Sequence, residues 1–452
     1  MIFRRIESEG LASYSYLIGD GNQAAVIDPR RDARIYVEMA AQAGMRITHV
    51  LETHRNEDYL IGSLEVAEFT DAVVLRSGEG DVAYEYGEPI MDGEAISVGR
   101  LELEALHTPG HTLGHMSYLL RDPGGDPWVV FTGDALFAGD VGRTDFYGRD
   151  RLAEITGLLY DSLFHRILPL GDGVIVCPAH GAGSACGTAI AERTWTTIGL
   201  EKKHNPKLQY TDKAEFVANV GEMLEYPPYF EMMEVLNREG PPVMGSLPSV
   251  PPLPPYEFAA RATDAQVIDT RTELGFGAAH VPGALSLPEG RLASFAGWFL
   301  SYNRPILLVT ETNDVSEPVR RLARMGFDDV AGFLAGGMHA WHTAGLASES
   351  TGMTTVQELC ERLDRDEEPW ILDVRSEEEV RRTEIPTAHN VHLTQLRKRM
   401  DDVLHGQQVY IFCGSGIRSM IAASFLQHAG YDDLTVVLGG LTGWSSVSCP
   451  LE

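Results

Sequence analysis

Cys413 opens the run Cys413-Gly-Ser-Gly-Ile-Arg418-Ser419 directly after the apolar stretch Val409-Tyr-Ile-Phe412. A thiol at the end of a buried strand, followed by a short loop into the helical stretch 419–428, faces several backbone N–H groups and the positive end of a helix. Both stabilise a thiolate, so this sulfur is expected to be nucleophilic near neutral pH. Gly414 and Gly416 accept the backbone angles that curl a loop round the sulfur, and Arg418 adds a cation beside a bound anion. Cys413 and Arg418 are therefore the candidate catalytic residues, with Gly414, Ser415, Gly416, Ile417 and Ser419 as the loop that holds substrate.

A second constellation lies in the first half of the chain. Four apolar runs end in polar residues: Ile47-Thr-His-Val-Leu-Glu-Thr-His54, Leu103-Glu-Ala-Leu-His-Thr-Pro-Gly-His111, Trp128-Val-Val-Phe-Thr-Gly-Asp134 and Val174-Ile-Val-Cys-Pro-Ala-His180. Strands that terminate in His, His, Asp and His bring ligating side chains to one rim of a sheet sandwich, which is the pattern of a metal site. His115 stands at a helical spacing from His111, but Pro109 and Gly110 point to a turn and make it a local structural residue. His49 and His107 fall inside strand-like runs as core or edge residues. Cys177 and Cys186 lack further partners at zinc spacing and read as incidental, though open to oxidation.

Length and pattern place the elements that must position these groups. At 452 residues the chain exceeds one core and predicts about three units. The Pro-rich stretch 241–255 cannot sustain a helix or an interior strand and marks a boundary. Beyond it the chain repeats itself: Val267-Ile-Asp269-Thr-Arg271 is echoed by Ile371-Leu-Asp373-Val-Arg375, and Gly326-Phe-Asp-Asp329 by Gly430-Tyr-Asp-Asp433, at one offset. Each copy alternates short apolar strands with amphipathic stretches such as 319–325 and 421–429, which predicts parallel sheets with helices on their faces. The expected organisation is a metal domain over 1–240, a linker at 241–257, a cysteine-free module at 258–350 and the Cys413 module at 351–452. At the Cys413 offset the first copy carries Val309, or Thr310 if the register slips by one, so its expected role is packing, spacing or dimerisation. The repeated Asp-x-Arg reads as a structural ion pair.

A net charge of −29 excludes a nucleic-acid partner or an anionic membrane surface, since both need a basic face. Neither a leader-like apolar core near Met1 nor an apolar run of membrane-span length is present in the sequence. Five scattered cysteines, an odd number, suggest no disulfide framework and suit a reducing cytoplasm.

The last module resembles the rhodanese family of single-cysteine sulfurtransferases. The resemblance runs through Ile371-Leu-Asp-Val-Arg375, Ile385-Pro-x-Ala388-x-Asn390, the 413–419 loop and Leu438-Gly-Gly440-x-x-x-Trp444. Its neighbour is similar through Ala279-His-Val-Pro-Gly-Ala284 and Leu334-Ala-Gly-Gly337-x-x-x-Trp341, with the active loop lost. Arg382-Thr383-Glu384 departs from the family's Gly-His at a position that is structural there. Four residues separate Cys413 from Arg418, a shorter loop than the C-x5-R of cysteine phosphatases, and one that suits a persulfide sulfur better than a phosphate.

Residues 1–210 resemble the metallo-β-lactamase superfamily, in its glyoxalase II and persulfide dioxygenase branch, through His111, Asp134, Gly142-Arg-Thr-Asp-Phe146 and Cys177-Pro-Ala-His-Gly181. The implied fold is an α/β multidomain chain: an αββα sandwich followed by two rhodanese-like domains. The family's H-x-H-x-D-H appears here as His54-Arg55-Asn56-Glu57-Asp58-Tyr59, with Asn56 and Tyr59 in place of two histidines. A two-metal hydrolase needs both missing donors, because each zinc takes about four and the pair shares a bridging carboxylate. What survives at the family's persulfide dioxygenase positions is His54, His111 and Asp134, the facial set that leaves open positions on a non-haem Fe(II). The resemblance sets Asp58 and His180 around the metal or against substrate, Tyr59 along the pocket, and Arg143 as a buried structural cation.

The whole arrangement resembles the persulfide dioxygenase–sulfurtransferase fusions of bacterial sulfide detoxification. It implies that a low-molecular-weight persulfide, such as glutathione persulfide, is oxidised by O2 to sulfite at Fe(II), and that Cys413 passes sulfane sulfur to sulfite or a thiol. Two alternatives stand beside it. One is a glyoxalase II-like zinc thioester hydrolase with a sulfurtransferase tail, its zinc retained through His180 and Asp58. The other is a metal-free binding or sensor module, with the Arg55 guanidinium where a metal would sit. A homo-oligomer is also compatible, since the first domain's relatives pair and the cysteine-free module offers a surface.

Overall fold

The computed structural model describes residues 1–365, 367–385 and 387–447. They divide into two compact units, Met1–Leu247 with Ala323–Gly326, and Pro248–Leu322 with Phe327–Glu452.

The first unit consists of two six-stranded mixed sheets, one in sequence order from Ile2–Ser8 to Glu88–Ile90 and the other from Ala95–Val98 to Thr196–Thr197. Their central strands, such as Gln23–Ile27 and Pro127–Gly133, are apolar on both sides because both sides are covered. Tyr16, Ile18, Ala25 and Ile27 meet Tyr118, Val129 and Phe131 of the opposite sheet in the central core. The alternate residues Leu17, Ala24 and Val26 point the other way and pack with Ala33, Tyr36 and Ala40 at the helix Arg34–Gln42. On the second sheet's outer face Leu119, Val130 and Val176 meet Leu159, Leu163, Ile198 and Phe216. Helix, sheet, sheet and helix follow one another, as the sequence implied.

The second unit holds two five-stranded parallel sheets. Its Pro-rich approach is more than linker: Pro252–Leu253 forms an edge strand and a helix begins at Pro255, positions where a missing N–H costs least. Asp269 pairs with Val309 in the first sheet and Asp373 with Phe412 in the second. The slipped register is therefore the correct one, and Thr310 follows its strand where Cys413 follows the other.

The two Asp-x-Arg repeats are wired alike. Arg271 binds Asp269 and donates to the Ala279 carbonyl at 2.8 Å, while Arg375 binds Asp373 and donates to the Thr383 carbonyl at 3.0 Å. These are structural ion pairs. Arg375 is wholly buried whereas the Arg271 side chain is 10% exposed, and stranding a buried charge is costly. Arg375→Ala should therefore lower unfolding stability by roughly 3–5 kcal/mol and Arg271→Ala by less, measured by denaturant titration. Equal losses would show that burial does not set the cost.

Two expectations are corrected here. The helix Ile417–His428 is not amphipathic but buried from Ser419 to Leu426. The cysteine-free module packs on its second side: the Ser286 N–H donates to Ser424 Oγ at 3.0 Å, and a side chain at Gly277 would strike Met353 and Met420. Among the cysteines, Cys177, Cys186 and Cys413 are free thiols, but Cys360 is disulfide-bonded. No helix among the described residues is long and apolar enough to cross a membrane.

Candidate functional site

His54 follows the strand Arg46–Leu51, His111 lies in the turn after Leu101–His107, Asp134 follows Pro127–Gly133 and His180 follows Ile175–Pro178. The four ends meet at one rim of the sandwich. Gly133, at φ +48°, makes the approach possible, since a Cβ there would lie 2.5 Å from His115 Nε2 and 2.7 Å from Thr53.

His54, His111 and Asp134 offer ligand atoms within 4.8 Å of one another, all buried. Asp134 Oδ2 stands 3.7 Å from His54 Nε2 and 3.5 Å from His111 Nε2. Donor bonds of about 2.1 Å place tetrahedral donors about 3.4 Å apart, so the set fits a first-row divalent cation. The hydrogen bonds also fix the tautomers. Thr53 Oγ1 gives its proton to Asp28 and so accepts from His54 Nδ1 at 2.9 Å, while His111 Nδ1 donates to the Arg143 carbonyl at 3.0 Å. Both Nε2 lone pairs are left aimed inward, without a hydrogen-bond partner among the described residues. Burial pushes the His54 imidazole well below its usual pKa, into the neutral form a ligand requires. Burial opposes ionisation of Asp134, but His180, His54 and His111 outweigh it and hold this carboxyl well below the usual range.

The surrounding residues hold these in place. Asp134 donates its N–H to His115 Nε2 at 3.0 Å, and the other ring nitrogen of His115 lies 2.9 Å from Thr108 Oγ1. Burial holds His115 at about 3, so it is the neutral structural residue its turn suggested. Arg143 binds Asp145 at 2.7 Å as a buried structural cation. Phe146 sets its ring edgewise to His111 with centroids 5.1 Å apart. The helix Phe230–Glu239 closes the site, with Asn237 Nδ2 donating to the carbonyls of Asn56 at 2.7 Å and Tyr59 at 2.8 Å.

His180 and Tyr59 were expected against substrate and find other partners. The His180 ring nitrogens face Asp134 Oδ1 at 2.7 Å and Asp58 Oδ2 at 2.9 Å. Burial disfavours its charge, but the two carboxylates raise its pKa well above the usual value. Tyr59 is buried with its hydroxyl 3.5 Å from the Asp28 carbonyl and its ring 6.3 Å from that of His180. Cys186, incidental by spacing, joins Asp58 and His180 in a second buried group whose ligand atoms lie within 4.8 Å of one another. Arg55 does not replace the metal; its guanidinium pairs with Glu234 at 3.0 Å. The residue that spacing missed is Glu57, whose buried carboxylate lies 3.6 Å from His111 Nε2 and 4.0 Å from His54 Nε2. Its signal was present: an acid in the motif that has lost a histidine.

In the second unit the Gly416 N–H donates to Cys413 Sγ at 3.1 Å, and the helix Ile417–His428 starts beside it. Gly440, at φ +48°, lets the next turn close on the loop, for a Cβ there would lie 2.2 Å from the Cys413 carbonyl oxygen. The Ser419 hydroxyl is buried without a partner among the described residues. Arg418 is not free beside the sulfur: both terminal nitrogens donate to Glu379 at 2.6 Å. Burial raises the Glu379 pKa, but Arg418 and the Ser376 N–H outweigh it and hold the group at about 2. The pair's stabilisation is thus complete above the ordinary glutamate value of 4.5 and lost as pH falls toward 2. Glu379→Gln should weaken sulfur transfer at neutral pH and flatten the acid limb of the module's stability profile below pH 4.5; an unchanged limb would remove this pair from the loop's support.

A metallo-beta-lactamase superfamily model matches residues 9–180, and a rhodanese-like domain model matches twice, at 255–344 and 355–447. The crystal structure of a metallo-beta-lactamase from Staphylococcus aureus aligns with a TM-score of 0.66 at 30% identity, covering 74% of this chain and 98% of that one. The chain belongs to the metallo-beta-lactamase superfamily and carries two rhodanese-like domains after the metal domain. Within the superfamily it is similar to the mitochondrial persulfide dioxygenase ETHE1 of Bos taurus, 31% identical over 46% of this chain and 76% of the relative. It is also similar to the hydroxyacylglutathione hydrolase GloC of Haemophilus influenzae, 29% identical over 43% of this chain and 91% of the relative.

Proposed function

We propose that the protein is a persulfide dioxygenase coupled to a sulfurtransferase, oxidising a low-molecular-weight persulfide with O2 and moving sulfane sulfur through Cys413. The observation that carries this is the convergence of two imidazole Nε2 atoms and one carboxylate, while His180 is held between Asp134 and Asp58. Similarity to a persulfide dioxygenase supports it. His54, His111 and Asp134 would hold Fe(II), which supplies the redox chemistry that joins oxygen to sulfur. The chain's own residues orient the site and keep water out: Thr53 and the Arg143 carbonyl fix the imidazoles, His180 braces Asp134, and Phe146 and the helix Phe230–Glu239 cover them.

At the second site the Cys413 thiolate attacks the outer sulfur of a persulfide or thiosulfate. Its S–S bond breaks, the inner sulfur leaves as a thiolate or sulfite with the electron pair, and Cys413 becomes a persulfide. Sulfite or a thiolate then attacks the terminal sulfur, giving thiosulfate or a new persulfide and restoring the thiolate. The Gly416 N–H and the helix start hold the negative charge. Sulfide detoxification in the cytoplasm is the setting this chemistry suits.

A second reading, a zinc thioester hydrolase with a sulfurtransferase tail, draws on the Asp58, His180 and Cys186 group and on the similarity to a hydroxyacylglutathione hydrolase. Metal analysis after anaerobic purification, with oxygen uptake on glutathione persulfide, separates the readings. About one iron per chain with uptake is expected. Zinc with thioester cleavage would establish the hydrolase, and absence of metal would leave a binding or sensor module.

A further inference from the structure

We infer that Glu57 is a fourth protein donor to the metal, making the centre two imidazoles and two carboxylates. The inference rests on the reading of His54, His111 and Asp134 as a metal site. Glu57 is 0% exposed, and neither carboxylate oxygen has a hydrogen-bond partner among the described residues. A buried carboxylate in that condition is costly for a folded chain to hold. The Arg55 guanidinium approaches Oε1 at 3.5 Å but is engaged by Glu234 at 3.0 Å. Oε2 stands instead before the two imidazoles.

His54 and His111 spend their Nδ1 protons on Thr53 and the Arg143 carbonyl, so each turns its Nε2 toward Glu57. Asp134 Oδ2 faces the same two nitrogens. The separations are 3.5 Å (His111–Asp134), 3.6 Å (His111–Glu57), 3.7 Å (His54–Asp134) and 4.0 Å (His54–Glu57), so Glu57 borders the group of His54, His111 and Asp134 on the side of the two imidazoles. These distances are longer than hydrogen bonds. They are close to the separations of about 3.4 Å expected round one divalent cation. Such a cation would also neutralise both carboxylates, and Arg55 already balances Glu234. Glu57 thereby makes good the donor lost at Asn56, from the adjacent position of the same loop. A cation held this way would have one position fewer open to substrate than one held by His54, His111 and Asp134 alone.

The test uses the full chain, loaded with Co(II) by expression in cobalt-supplemented medium, as wild type, Glu57→Gln and Glu57→Ala. Three measurements are made: the visible d–d spectrum, the rate of cobalt loss to a chelator, and the melting temperature of the metal-free protein. Both variants are expected to show an altered d–d spectrum and cobalt loss accelerated by at least about ten-fold. Glu57→Gln should also melt at the same or a higher temperature without metal, because it removes a buried carboxylate that has no hydrogen-bond partner among the described residues. A spectrum and loss rate like wild type's would overturn the inference, as would a metal-free protein destabilised by Glu57→Gln with its spectrum unchanged. If wild type itself bound no cobalt, the metal-centre reading would fall first and Glu57's role with it.

Discussion

Replacing Asp134 with alanine should reduce oxygen uptake on glutathione persulfide by a factor of roughly a thousand or more, and leave little bound metal after anaerobic purification. Asp134 serves two partners at once. Oδ2 is a donor beside His54 and His111, and Oδ1 holds His180 at 2.7 Å. The variant therefore loses a ligand and also leaves the His180 charge with only Asp58. His54→Ala separates the two effects, because the Asp58–His180–Asp134 chain stays intact while a donor disappears. It should lose metal and oxygen uptake with a smaller change in melting temperature than Asp134→Ala. Uptake that persisted in either variant would show that these residues do not hold the metal.

Cys413→Ser should abolish thiosulfate:cyanide sulfur transfer while oxygen uptake remains at the wild-type level. A serine hydroxyl can accept the Gly416 N–H that now reaches the sulfur at 3.1 Å, so the loop keeps its shape and loses only its nucleophile. No residue of the neighbouring module can substitute, since Thr310 stands where the thiol would be. Unchanged sulfur transfer would remove Cys413 from the mechanism. A fall in oxygen uptake would show instead that the oxygenation itself depends on sulfur passing through Cys413.

The strand-end pattern was legible because a strand delivers its last residue to a known edge: His54, His111, Asp134 and His180 meet there. The repeat was legible for the same reason, and its one open register was decided by the pairing of Asp373 with Phe412. What failed lies in loops and between modules. Nothing local tells which way the side chain of Glu57 turns, nor that Cys186 comes back to Asp58 and His180 from beyond the last strand end. The helix Ile417–His428 looked half-exposed because its own sequence carries no record of the module packed on its second side. Arg418 looked like an anion's partner because Glu379, which takes it, lies in a separate helix.

The cover formed by the helix Phe230–Glu239 has a kinetic consequence. With Asn237 clasping the backbone of Asn56 and Tyr59, and no donor atom of the centre open to solvent, an ion neither enters nor escapes the finished molecule readily. Occupancy is then decided during biosynthesis, by whichever cation is at hand while the polypeptide wraps round it, and a mature apo-protein soaked in iron would fill slowly. If the centre holds a metal as proposed, trace-element supply in the growth medium, rather than equilibrium affinity in the test tube, should govern how much of a preparation carries it.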